Sequence, residues 1–277
     1  MTEKDIQFWA EEGARLIELG YYREAVQAFD KGIALEDNDD ALWYGKGTAL
    51  NYLGYYQEAI QSYDKAIDLG GGCLLWSWND KGTILHKLGR SQEALQAFDE
   101  AIALNEDFAI PKYKHVFGLE DNDFVIPLFN KGQTFYELGR YHEAVQAFDK
   151  AIALEDNYDA LWYSKGIALY YLGRYQEAIQ AYDEAIALNE NFAIPRFNKG
   201  CTFIELGRYQ EAIQAFDEAI ALDENFAAPW NGKGEVLDKL GRYQEAIQAF
   251  DKAIALDENF VEPWNNKNNV LEKLGRY

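Results

Sequence analysis

"AAPWNGKGEVLDKLGRYQEAIQAFDKAIALDENF", residues 227–260, holds two amphipathic stretches on either side of Leu240-Gly241. In the first, Trp230, Leu237 and Leu240 recur at helical spacing; in the second, Ala246, Ile247, Phe250, Ala253 and Ile254 do the same. Gly241 suits the left-handed residue that ends a helix, and Pro229 stands in a first turn, where its missing N–H leaves no bond unmade. The segment predicts helix, turn, helix.

The pattern runs through the chain. Leu-Gly pairs place Gly20, Gly54, Gly89, Gly139, Gly173, Gly207, Gly241 and Gly275 at intervals of 34, 35, 50, 34, 34, 34 and 34 residues. A period of this regularity means stacked repeats rather than one globular core. The units are 6–39, 40–74, 75–108, 125–158, 159–192, 193–226 and 227–260, with a half unit over 261–277. Within each, small residues at positions 8, 20 and 27 (Gly234, Ala246 and Ala253) let two helix backbones approach, and an aromatic at position 24 (Phe250) fills the space between them. Neither helix can bury its stripe alone, so neighbouring units must stack.

Trp230, Gly234, Tyr243, Ala246, Phe250 and Ala253, with their counterparts in the other units, resemble the tetratricopeptide repeat pattern over about 255 of the 277 residues. The resemblance implies an all-α fold, a right-handed superhelical α-solenoid of stacked helix-turn-helix repeats. Two features depart from the family. Lysine occupies position 7 (Lys46, Lys81, Lys131, Lys165, Lys199, Lys233 and Lys267), and position 32 is usually acidic, as at Glu224 and Glu258. Position 25 is aspartate in all seven units: Asp30, Asp64, Asp99, Asp149, Asp183, Asp217 and Asp251. Each aspartate is expected to meet the lysine of the following unit and so set the register between repeats, at under about 1 kcal/mol per exposed pair.

In the family, the face of the first helix opposite its packing stripe lines a concave groove that grips extended or helical peptide segments. On a helix of about 100° per residue that face is positions 2, 6, 9 and 13, with 5 and 12 flanking. Trp76, Phe129, Asn130, Gln133, Tyr136, Tyr163, Tyr170, Tyr171, Phe197, Asn198 and Cys201 occupy it in the middle of the array, and Glu11, Glu18, Glu235, Asp238, Glu262 and Glu272 at its ends. Aromatics interleaved with amides are the makings of an interaction surface. Asn130, Asn198 and Asn266 resemble the asparagine ladder by which some arrays hold a peptide main chain; Gly45, Asp80, Ser164 and Gly232 break it. No consecutive repeats supply the basic set that clamps an acidic C-terminal peptide.

Charge narrows the partner. With 26 Lys+Arg against 47 Asp+Glu, a formal charge of −21, nucleic acid and anionic membranes are disfavoured and a basic or neutral protein segment is expected. Arginine suits an acidic rim and aromatic floor best, because it pairs with carboxylates and lies on rings. Self-association through the terminal helices, as a structural protein that assembles through its array ends, is the alternative. The final helix lacks a second helix after it, leaving Leu271 and Leu274 to find cover, so 261–277 is either a polar cap or the edge of a longer array.

Catalysis is not expected. None of His86, His115 and His142 has a second histidine at metal-ligand spacing, and "GGG" at 70–72 lacks the Lys-Ser/Thr of a phosphate loop. "EDNDD" (36–40) lacks the glycine and closing glutamate of a calcium loop; its acids read as helix N-caps. No cofactor follows. Cys73 and Cys201 read as free thiols of a reducing compartment, and the absence of a leader pattern or an 18-residue apolar run predicts a cytoplasmic protein.

"KYKHVFGLEDNDFVIP", residues 112–127, falls in the one irregular interval. It reads as a repeat that began, stopped at Gly118 and lost its second half, with His115 in the slot lysine holds elsewhere. The insert, 109–124, is expected either to bulge out while Val125 onward resumes the stack, or to split the array.

Overall fold

Every Leu-Gly stop is the left-handed residue the pattern requires. At Gly241 φ is +73°, the Arg242 amide donates to the Leu237 carbonyl at 2.8 Å, and the Gly241 amide to Asp238 at 2.9 Å. That double closure satisfies the last carbonyls of one helix and turns the chain into the next.

The computed structural model describes residues 3–107 and 121–275. Among them are fifteen α-helices and no strand. Six form the first three repeats: α1 (Glu3–Glu18) with α2 (Tyr22–Leu35), α3 (Asp40–Tyr52) with α4 (Tyr56–Leu69), and α5 (Leu74–Lys87) with α6 (Ser91–Asp107). A 3-10 turn, Asp121–Phe124, leads into α7 (Val125–Glu137), followed by α8 (Tyr141–Leu154). Then come α9 (Asp159–Tyr171) with α10 (Tyr175–Leu188), α11 (Ala193–Glu205) with α12 (Tyr209–Leu222), α13 (Ala227–Lys239) with α14 (Tyr243–Leu256), and α15 (Val261–Lys273). This is an α-solenoid: helices pair along their length, as α5 with α6 and α13 with α14, and a second helix packs on the first helix of the following repeat, as α6 on α7 and α14 on α15. The chain divides into two compact units, residues 1–139 with 153–155, and residues 140–152 with 156–277.

In both units the core is a row of aromatics driven against glycine. A Cβ on Gly82 would lie 2.7 Å from the Phe98 ring, and one on Gly234 would lie 2.5 Å from Phe250. Phe98, Phe216, Phe250, Tyr63 and Tyr182 are fully buried.

The expected register between repeats is present at all seven junctions. Lys46–Asp30, Lys81–Asp64 and Lys233–Asp217 lie at 2.6 Å, Lys165–Asp149 at 2.7 Å, and Lys199–Asp183 and Lys267–Asp251 at 2.5 Å. Lys131 pairs with Asp99. The lysine side chains are only 20–24% exposed. Four sit over the tryptophan at position 4 of their own helix, Lys81 at 4.8 Å from Trp78 and Lys165 at 5.0 Å from Trp162 among them.

The Lys131–Asp99 pair bears on the irregular interval. Helix α7 packs on α5 and α6, and Phe124, fully buried, joins Leu75 and Ala101 in a core cluster. The stack therefore resumes at Val125 on the third repeat. Residues 108–120, with His115 and Gly118, lie outside the described residues.

Two expectations need correction. Among the acids before first helices, Asp39 caps, accepting from the Ala41 amide at 2.9 Å, but Asp223 and Asp257 instead accept from Asn225 and Asn259 at 3.0 Å and shape the turn. A helix preceded by Phe226 or Phe260 has no side-chain cap. Leu271 and Leu274 are covered, packing against Leu237, Phe250 and Val270; the exposed apolar residues of α15 are Val261 and Trp264.

Candidate partner-binding face

The candidate residues all lie on first helices and all are half-buried. Trp76, Phe129, Asn130, Gln133 and Tyr136 belong to the first unit; Tyr163, Tyr170, Phe197 and Asn198 belong to the second.

In the first unit a chain of hydrogen bonds crosses three first helices. Tyr44 Oη donates to Asp80 Oδ2 at 3.1 Å, Asn79 Nδ2 donates to Asp80 Oδ1 at 3.0 Å, and Asn130 Nδ2 donates to Asn79 Oδ1 at 2.9 Å. Burial raises the Asp80 carboxyl above the usual carboxylate range, against the opposing pull of the Tyr44 and Asn79 hydrogen bonds and of Lys87. The same burial, with Asp80 beside it, pushes the Tyr44 phenol far up. His86 Nε2 and Glu137 Oε2, 3.0 Å apart, make a further link between α5 and α7. Trp76 packs against the cluster of Leu75, Ala101 and Phe124.

The second unit repeats the linkage with other side chains. Asn198 Nδ2 donates to Tyr163 Oη at 3.2 Å, and Asn266 Nδ2 to Asn231 Oδ1 at 3.1 Å. A polar residue at position 6 thus bonds to position 5 of the preceding first helix, in both units. Asn130 and Asn198 each spend one amide hydrogen on a neighbour and keep the second and the side-chain carbonyl for a ligand, whereas Asn266 donates both to Asn231 Oδ1 and, at 3.0 Å, to Glu235 Oε1.

Position 5 aromatics serve packing. The Tyr163 ring lies 5.2 Å from Phe192, and Phe197 lies 5.8 Å from Phe216 and 5.4 Å from Phe226. Tyr170, at position 12, is different in its surroundings. It meets Tyr171 edge-on at 5.6 Å, and its phenol is pushed up to about 12, first by burial, then by Glu205 and the Cys201 thiol. The Cys201 thiol is likewise pushed up to about 12, by burial, then Glu235 and, less, Glu205. So α9, α11 and α13 bring Tyr170, Cys201, Glu205 and Glu235 into one strip of negative potential. Beyond it a cavity of about 520 Å³ opens between α13 and α15, lined by Glu235, Asp238, Asn266 and Glu272 with Lys239 and Lys273. Lys273 and Asp238 pair at 2.6 Å.

The sequence reading missed the position-5 partners Tyr44, Asn79 and Asn231, and the role of Glu205. The lone aspartate at position 6, Asp80, was the available signal, because a carboxylate facing a packed neighbour needs donors.

Both cysteines are free. Among the described residues no three His, Cys, Asp or Glu side chains form a group able to hold a metal, and no helix is long and apolar enough to cross a membrane.

Family profiles described as tetratricopeptide repeat match residues 39–107, 129–191 and 197–259. Among solved structures, the C-terminal part of a tetratricopeptide repeat-containing protein from Cytophaga hutchinsonii is similar with a TM-score of 0.74, at 17% identity over 93% of this chain and 98% of that one. MamA is similar at 24% identity and a TM-score of 0.55, over 64% of this chain and 94% of that one. YrrB, described as a tetratricopeptide repeat protein with an unusual peptide-binding site, gives 19% identity and a TM-score of 0.50, over 88% and 99%. At these identities the likeness concerns the fold alone. No protein with a curated description matches the chain in sequence.

Proposed function

The chain belongs to the tetratricopeptide repeat family, and from that premise we propose that it is a non-catalytic interaction scaffold. It binds a basic protein segment along the face of its first helices. The observation that carries this reading is the strip formed by Tyr170, Glu205 and Glu235. Two carboxylates beside half-buried aromatic and thiol groups favour a cation, and they raise both neighbouring acids. An arginine or lysine laid between them would gain two charged contacts and a ring face. Asn198 offers its remaining hydrogen to the segment's carbonyls. YrrB, by its description, has a peptide-binding site, which lends the fold's precedent but no residue.

The test is the paired substitution Glu205→Gln and Glu235→Gln; Glu205 is exposed, and at the half-buried Glu235 a glutamine carbonyl keeps an acceptor for Asn231 and Asn266. Partners captured from a native lysate by the unmodified chain should be lost to the variant while its far-ultraviolet helical signal is unchanged. Undiminished capture would remove this face from consideration.

A second reading, self-assembly through the last helix, is favoured by Val261 and Trp264, 60% and 46% exposed on α15. Sedimentation that grows with concentration, and stops growing with Trp264→Glu, would support it; a concentration-independent monomer would rule it out.

A further inference from the structure

A pocket recurs on the second-helix side of the repeats, away from the face just described. In the first unit one of about 660 Å³ opens over Trp43, Leu50 and Glu58. In the second unit one of about 580 Å³ opens over Trp230, Leu237 and Glu245. These are the same three repeat positions, 4, 11 and 19, so the pocket is encoded by the repeat itself.

The two pockets differ in how the glutamate is held. Arg242, three residues before Glu245, donates to it through Nε at 2.8 Å and Nη2 at 2.7 Å. The same two-pronged clamp holds Glu93, Glu177 and Glu211 through Arg90, Arg174 and Arg208. Before Glu58 the clamp position is Tyr55, 46% exposed, and among the described residues the Glu58 carboxylate has no hydrogen bond or ion pair. Repeat 1 makes the same exchange, with Tyr21 three residues before Glu24. Tyr52, 60% exposed, stacks on Tyr22 at 4.7 Å beside this edge.

The molecule also shows what the missing group would do. In repeat 6 the Arg208 guanidinium binds Glu211 and lies 4.5 Å over the Phe203 ring. Repeat 2 keeps the carboxylate, has Leu50 where repeat 6 has Phe203, presents the Trp43 ring at position 4 and lacks the guanidinium.

We infer that the pocket over Trp43 receives an arginine from a partner protein. Its guanidinium takes both oxygens of Glu58 as Arg242 takes those of Glu245, and an aliphatic residue beside it in the partner covers Trp43 and Leu50. Arginine rather than lysine fits, because the clamp is a planar fork onto a carboxylate. A partner rather than this chain supplies it, because a chain with charge −21 attracts a basic segment.

Trp43 provides the readout, since its indole N–H is ordered by a 2.9 Å hydrogen bond to the Asp37 carbonyl. The full chain, with nitrogen-15 in its tryptophans, is titrated with capped Leu-Arg-Leu tripeptide and with the analogue carrying citrulline. A saturable shift of the Trp43 indole resonance is expected with the arginine peptide, none with citrulline, and none at Trp230 with either. Tyr55→Arg installs the residue that repeats 3 to 7 carry there, so the fold is kept. It should weaken the Trp43 response at least about tenfold by filling the site from within. Arg242→Tyr makes the converse exchange and should create a response at Trp230. An equal response to citrulline, a Trp43 response unchanged by Tyr55→Arg, or no response up to the solubility of the peptide would each overturn the inference.

Discussion

In both units two regions of the repeats hold the stack together, and they are built on opposite principles. Between the helices of one repeat runs an aromatic spine, Phe216 and Phe250 for example, pressed so closely on glycine that no side-chain atom fits between. Between successive repeats runs a charged seam of lysine and aspartate, partly open to water. The spine obtains its stability from close packing and tolerates no change of volume. The seam has modest strength and strict geometry. What the difference teaches is that strength and register can be assigned to separate residues: one set makes the repeat stable, the other decides how repeats sit.

That division can be broken by substitution. The largest effect is expected at the spine, where Phe216→Ala empties a fully buried site and should destabilise by about 3–5 kcal/mol, read from the denaturant midpoint. Gly234→Ala comes next. On an open helix this exchange would stabilise by up to about 1 kcal/mol, but here the new methyl would lie 2.5 Å from the Phe250 ring. Overpacking should prevail, at about 1–3 kcal/mol of lost stability, and a stabilised variant would show that the spine is softer than its geometry.

At the seam, Lys165→Ala and Asp149→Ala should each cost less than about 1 kcal/mol, and the double variant should cost less than their sum. The loss should shrink in high salt. A seam substitution as costly as one in the spine would erase the distinction. The smallest net change is expected at Asp80, with the opposite sign. Its carboxyl is raised by burial, so folding is favoured while it is protonated, and that advantage is lost as pH rises through its folded value. Asp80→Asn keeps an acceptor for Tyr44 and should stabilise the chain slightly at pH 7. Melts below about pH 4, where an ordinary carboxylate is itself protonated, should show the advantage gone.

Much of this was legible from residue spacing. The repeat, its glycine stops and its aromatic-on-glycine core follow from the recurrence of large and small residues at fixed positions. The seam was legible too, because Asp149 and Lys165, like their counterparts, sit at a nearly constant offset, while repeat 1 carries Glu12 instead of lysine. The candidate face was legible only in outline. A helical wheel says which way Asn198 points, but not that Tyr163 of the neighbouring helix stands within 3.2 Å of it. The second-helix pocket was not legible as a cavity, because spacing does not show where two neighbouring helices leave a gap; Tyr55 standing where five later repeats place arginine was the visible sign. The cover over Leu271 was not legible, because the pattern does not show how much of a first helix is buried against the repeat before it.

The seam also has a hereditary consequence. Its partners are 16 residues apart at Lys199–Asp183, 17 at Lys81–Asp64 and 32 at Lys131–Asp99, yet the contact is the same. Recognition between neighbours therefore does not depend on the length of chain that joins them. Copying, loss or interruption of a unit leaves a lysine facing an aspartate wherever the break falls, so a gene of this kind can change its number of repeats without first acquiring new complementary surfaces.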